Sequence, residues 1–196
     1  MFIEEQKKIN LINEKAITEK AKALYYQTLI NFEIYKDSVM RINSNMKNLN
    51  YNNFAKVQSC HMTDGLFGEQ KHLEYETVLK IKVTANLITL ITSAHRIITC
   101  IKNCRNIEQS EDWKRLKTLI AINDKNYDNN LRNFMEHLDE KASKQNLDNS
   151  NAYFTPERTL FCSDDKVNIR FKFDPKSLNN INDLVDEVFK MLENRN

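Results

Sequence analysis

Two glycines and two prolines in 196 residues leave this chain few means of making tight turns. A β-sandwich or barrel needs a turn signal about every 8–12 positions, so those classes are nearly excluded. Sites built on Gly-rich phosphate loops are excluded as well, because neither G-x-G-x-x-G nor a Walker A string occurs. Long helices are what such a chain can build. With 41% hydrophobic and 29% charged residues it can bury a core, and its length suits one domain spanning 1–196.

Residues 3–44 read as one long helix or two stacked ones, with Ile9, Ile12, Ala16, Ala23, Ile30, Ile34 and Met40 as the apolar stripe. The Asn-rich stretch 45–69, ending in Gly65 and Gly68, reads as a loop. Residues 70–104 form the strongest helix. There Leu73, Val83, Leu87, Leu90, Ala94, Ile97, Ile98 and Ile101 make an apolar face wide enough for the centre of a bundle. Ser110 suits an N-cap, with Glu111 and Asp112 in the first turn of a helix through Trp113, Leu116, Leu119 and Ile120. Asn123–Asp124 reads as a kink or a new start, followed by helix through Leu131, Met135, Leu138 and Ala142; 145–152 reads as loop.

The tail changes period. Val167, Ile169, Phe171 and Phe173 alternate with Asn168, Arg170 and Lys172, as in a half-buried strand. Thr159–Cys162 can pair with it, giving a hairpin over 159–173. Asp174 and Pro175 then open a C-terminal helix, 175–194, whose stripe is Leu178, Ile181, Leu184, Val185, Val188, Phe189 and Leu192. The expected fold is all-α: a four- to five-helix up-down bundle with a small β-hairpin before the last helix.

Net charge is +2, and no quarter of the chain is strongly basic. A basic stripe for duplex DNA is therefore not expected. The first residues lack the apolar core of a signal peptide, and no run of 18 uncharged apolar residues occurs, so no membrane association is expected. Four cysteines without a C-x-x-C suit reduced thiols and a cytoplasmic protein.

The segment LRNFMEHLDE, 131–140, carries the chemistry. On a helix, Leu131, Met135, Leu138 and Ala142 face the core. Arg132, Glu136, Asn133 and His137 occupy the opposite arc, with Arg132 and His137 about 140° apart. A guanidinium grips phosphate bidentately, and an imidazole moves protons near neutral pH. RNA brings its own nucleophile, the 2′-hydroxyl, so neither metal nor cofactor is required. The same spacing also suits a plain surface ion pair between Arg132 and Glu136.

Arg132, Asn133 and His137 resemble the R-x4-6-H motif of the HEPN superfamily, including the polar residue that often follows the Arg. The longer string RNFMEHLDE is similar to the RN-x-x-EH-x-DE signature of small bacterial HEPN-like proteins. The resemblance implies a helical bundle and metal-independent RNA cleavage, with two motif copies meeting at a homodimer cleft. It implies that Arg132 holds the scissile phosphate, His137 serves proton transfer and Asn133 positions one of them. It also suggests a toxin or defence effector, with a protein antitoxin or regulator as partner. Members modified by their antitoxin carry Tyr two residues after the His, where this chain has Asp139. The alternative is a non-catalytic HEPN-like interaction or regulatory protein.

Other residues compete for attention. His95 and Arg96, on the central helix, suit either a bonded, partly buried imidazole or a second polar group lining the His137 cleft. Cys60, His61, Asp64 and His72 lack the paired spacing of a zinc site, so no metal is expected. Cys100 and Cys104 suit core thiols. Tyr25, Tyr26, Phe32 and Tyr35 suit core packing or a dimer surface rather than base stacking, because no basic residues interleave closely with them.

Overall fold

The structure is a computed structural model that describes residues 2–47, 67–108, 113–127, 129–136, 151–154, 158–163 and 168–195. Among these the chain is mostly helical. The helices are α1 (Phe2–Glu14), α2 (Glu19–Lys47), α3 (Phe67–Glu108), α4 (Trp113–Asn126), α5 (Asn129–Glu136) and α6 (Pro175–Glu193). The strands are β1 (Asn151–Phe154), β2 (Thr159–Ser163) and β3 (Asn168–Lys172), before α6. Six described helices exceed the four or five expected, because 3–44 splits into two and the segment after Trp113 into two more.

The first split lies between Glu14 and Glu19, where neither Gly nor Pro occurs. Thr18 restarts the chain: its Oγ1 accepts the Ala21 N–H at 3.2 Å, the capping bond that satisfies a first-turn donor. The second split comes at Tyr127, not at Asn123–Asp124. Asn123 stays helical, and the N–H groups of its buried amide tie α4 to α6. Its Nδ2 donates to the Leu119 carbonyl at 2.9 Å and to the Asn180 carbonyl of α6 at 3.0 Å.

The stretch expected as a 45–69 loop is helical at both margins, since α2 runs to Lys47 and α3 begins at Phe67; residues 48–66 lie outside the described ones. The expected cap at Ser110, with Glu111 and Asp112, also lies outside them. Helix α3 is 42 residues long, about 63 Å at the usual helix rise. Its expected stripe from Val83 to Ile101 is buried, and α2 makes the most extensive contact with it.

The face that α2 turns inward differs from the expected one. Ala21, Tyr25, Leu29, Phe32, Tyr35, Ile42 and Met46 are buried, whereas Ile30, Ile34 and Met40 are 60%, 39% and 54% exposed. Ala16 and Ala23 are exposed too. The three aromatics bury more area than the aliphatic stripe, and their orientation sets the helix. Phe32 lies 6.5 Å from Tyr35, ring to ring, and Tyr25 lies 5.9 Å from Phe189 of α6.

The phenol groups are accommodated by a buried chain of hydrogen bonds. Tyr35 donates to the Leu178 carbonyl of α6 at 3.2 Å. Its single proton is then used, so Tyr127 donates to the Tyr35 oxygen, at 3.1 Å. Burial holds both phenols well above the usual tyrosine range, so they stay neutral.

Helix α6 follows its sequence closely. Asp174 accepts the Ser177 N–H at 2.7 Å, Pro175 opens the first turn, and all seven expected stripe residues are buried. Helix α1 lies over α2 and α6, with Lys8 on Asp186 at 2.8 Å and Lys36 on Glu5 at 2.9 Å. The Lys15 ammonium reaches the carbonyls of Glu193 and Arg195, where the negative end of the α6 dipole favours a cation.

The sheet is antiparallel, in the order β1-β2-β3. Leu160 pairs with Phe171 and Cys162 with Ile169. The extra strand, β1, begins at Asn151, inside the stretch expected as loop; four residues are too few to display a period of two. Phe171 and Phe173 are buried while Arg170 and Lys172 are exposed, and Phe171 packs 5.3 Å from Tyr127. Arg158, at a φ of 58°, turns the chain into β2. Its carbonyl accepts the Phe173 N–H at 2.7 Å, and its guanidinium donates to Asn43 at 3.2 Å. No described helix is long and apolar enough to cross a membrane.

Candidate functional site

Arg132 sits in the first turns of the short helix α5, which follows the break at Tyr127. Leu131 is buried and anchors the helix, which leaves Arg132 half-buried and Asn133 exposed. His137 lies outside the described residues, and so does the side chain of Glu136. Of the motif, Arg132 and Asn133 can therefore be located in space.

Arg132 faces a cavity of about 430 Å³ between α2, α3 and α5. His95, Arg96, Thr99, Cys100 and Asn103 of α3 line it, as do Leu24, Gln27 and Asn31 of α2. Arg96, Thr99, Cys100 and Asn103 recur at helical spacing, so one polar seam runs down a helix otherwise devoted to the core. Two guanidiniums and an imidazole thus share a wall in which the described residues include no carboxylate. Two other cavities differ. One of about 730 Å³, between α1 and α6, sets Lys7, Lys8 and Lys190 against Glu4, Glu14, Asp186 and Glu193. One of about 250 Å³ sets Lys8 and Lys36 against Glu4, Glu5, Glu33 and Asp186.

His95 shows the first of its expected behaviours. It is half-buried, and its Nδ1 lies 3.4 Å from the Tyr127 carbonyl. A carbonyl can only accept, so Nδ1 carries the proton in that contact, and Nε2 is the second nitrogen, an acceptor in the neutral ring. The contact ties α3 to the residue just before α5, and so helps set where Arg132 stands. His95 and Arg132 do line one cavity; whether His137 joins them falls outside the described residues.

Cys100 and Cys104 are buried free thiols. Burial pushes the Cys100 thiol up, against the Thr28 hydroxyl and the Arg96 charge that pull it down. It is therefore a weak nucleophile. Its S–H donates to Gln27 Oε1 at 3.6 Å, so it serves to orient that amide. Cys60, His61 and Asp64 lie outside the described residues, and so does the His72 side chain.

Sequence reasoning missed Gln27, Asn31, Thr99 and Asn103. The signal was available: Arg96, Thr99 and Asn103 are polar at i, i+3 and i+7 within an apolar helix, and Gln27 and Asn31 are one turn apart on α2.

No family model, curated protein or solved structure matches this chain.

Proposed function

We propose that the protein is a metal-independent endoribonuclease on an HEPN-like helical bundle, active as a homodimer. The observation that carries this reading is the cavity that Arg132 lines together with Arg96 and His95. Two cations in one wall suit an anion, and guanidiniums suit phosphate oxygens. The RNA 2′-hydroxyl attacks the adjacent phosphorus, and the 5′-oxygen leaves. The products are a 2′,3′-cyclic phosphate and a 5′-hydroxyl end. Arg132 neutralises the phosphoryl oxygens as charge gathers there, His137 serves proton transfer, and Asn133 positions one of them. Arg96 and His95 are the supporting groups of the same cavity. Exposed Ile30 and Ile34 lie one turn apart on α2, beside Gln27 and Asn31 of the cavity wall, and supply an apolar face for the second copy.

The test is cleavage of total RNA by the full chain in EDTA, beside Arg132→Ala and His137→Ala. Wild type cleaves, and each variant loses at least about a hundredfold in rate, the scale of one transition-state charge contact. Equal cleavage by all three removes the assignment. No cleavage by wild type favours a non-catalytic interaction protein on the same scaffold.

A further inference from the structure

We propose that α1 is an ionic latch: it leaves α2 and α6 as a unit while the rest of the bundle stays folded, and ionic strength sets how often it does so. Among the described side chains of α1, Ile12 alone is buried, with Ile9 and Leu11 half-buried. Helix α6, by contrast, buries seven. A helix of 13 residues is marginal by itself in water. The place of α1 therefore depends on what else ties it down, and those ties are mostly charged.

Three lysines make the attachment. The Lys8 ammonium meets Asp186 of α6 at 2.8 Å and lies 5.6 and 5.4 Å from the ring centres of Phe32 and Phe189. One cation of α1 thus faces two aromatic rings from two other helices. Lys36 of α2 meets Glu5 of α1 at 2.9 Å, and Lys15 donates to the last carbonyls of α6. Packing around these ties is open. The cavities of about 730 Å³ and about 250 Å³ both border Lys8 and Asp186, so this ion pair is the wall they share. Departure of α1 bares Phe32 and Phe189 and merges the two cavities into one groove between α2 and α6. The joint suits such a motion, because residues 15–18 lie outside both helices. Helix α2 keeps its own cap, the Thr18 hydroxyl on the Ala21 N–H, whether or not α1 is in place. Asp186 is largely exposed and Lys36 and Glu5 partly so, which leaves these pairs open to screening by salt.

The experiment is hydrogen–deuterium exchange of the full chain, read by mass spectrometry on peptides from α1 and α6. It is run at about 0.02 M and about 0.5 M salt, between which the screening length falls severalfold. In wild type α1 exchanges at least about a hundredfold faster than α6, as a unit that opens without global unfolding does. The higher salt speeds α1 about threefold and leaves α6 unchanged. Lys8→Gln and Glu5→Gln each speed α1 about tenfold at low salt, the worth of a charge-assisted hydrogen bond. Exchange in α6 stays as it was, which also shows that the variants are folded. A response to one substitution alone places the latch on that pair. The double variant loses most of its response to salt, a change that loss of a merely structural contact would not bring. Four results overturn the proposal: α1 and α6 exchanging at one rate, an α1 rate indifferent to salt, an α1 rate that neither substitution moves, or a salt response that survives intact in the double variant.

Discussion

Asp174 shows how one side chain carries local structure that is plain in the sequence. Its carboxylate accepts from Ser177, and that bond holds it below the usual aspartate range, with Lys172 at 3.3 Å adding to the effect. A carboxylate lowered in the folded state stabilises above its ordinary value near 3.9, and the contribution is lost as pH falls through the lowered value. Asp174→Ala should therefore cost about 1 kcal/mol at pH 7, the usual worth of an N-cap. Urea unfolding at a series of pH values should show the gap between wild type and variant closing below about pH 4. The cap was legible because Asp-Pro at a helix start has few other uses. Arg132 stood out as a candidate for a similar reason, since its neighbours form a pattern. Asn103 and Gln27 were not, because a carboxamide on a helix is common and only the packing of α2 on α3 brings these together.

At the level of elements, α6 and α2 make a useful contrast. The α6 stripe is aliphatic and unambiguous, and all of it is buried. Helix α2 carries two candidate stripes, one aliphatic and one aromatic. Hydropathy favours Ile30, Ile34 and Met40; the tertiary structure selects Tyr25, Phe32 and Tyr35, because Tyr25 and Tyr35 find hydroxyl and ring partners on α6 and in the turn after α4. Such partners are distant in sequence and invisible to periodicity. The two stripes should differ sharply in energetics. Ile42→Ala, at a fully buried position, should cost about 2–5 kcal/mol in denaturant unfolding, through lost transfer energy and the cavity left behind. Ile30→Ala should stay within about 0.5 kcal/mol for the folded subunit. A large loss from Ile30→Ala in the isolated subunit would mean that the buried face of α2 is wrongly assigned.

For the molecule as a whole, the low Gly and Pro content forces long helices, and those helices explain where chemistry is possible. Helix α3 gives the core its apolar stripe from Val83 to Cys104. Its polar seam opens where α5 crosses it, and there cations of α3 and α5 line one cavity. Mostly helical architecture was legible from composition and period. The meeting of Arg96 with Arg132 was not, since 36 positions and a chain reversal separate them. The central claim is that this cavity directs the 2′-hydroxyl of RNA at its own phosphodiester. Mass spectrometry of the fragments left by the protein in EDTA tests it most directly. Fragments ending in 2′,3′-cyclic phosphate, with 5′-hydroxyl partners and an untouched all-deoxy control, are the expected result. Fragments with 3′-hydroxyl and 5′-phosphate ends, or a cleaved deoxy control, would contradict it.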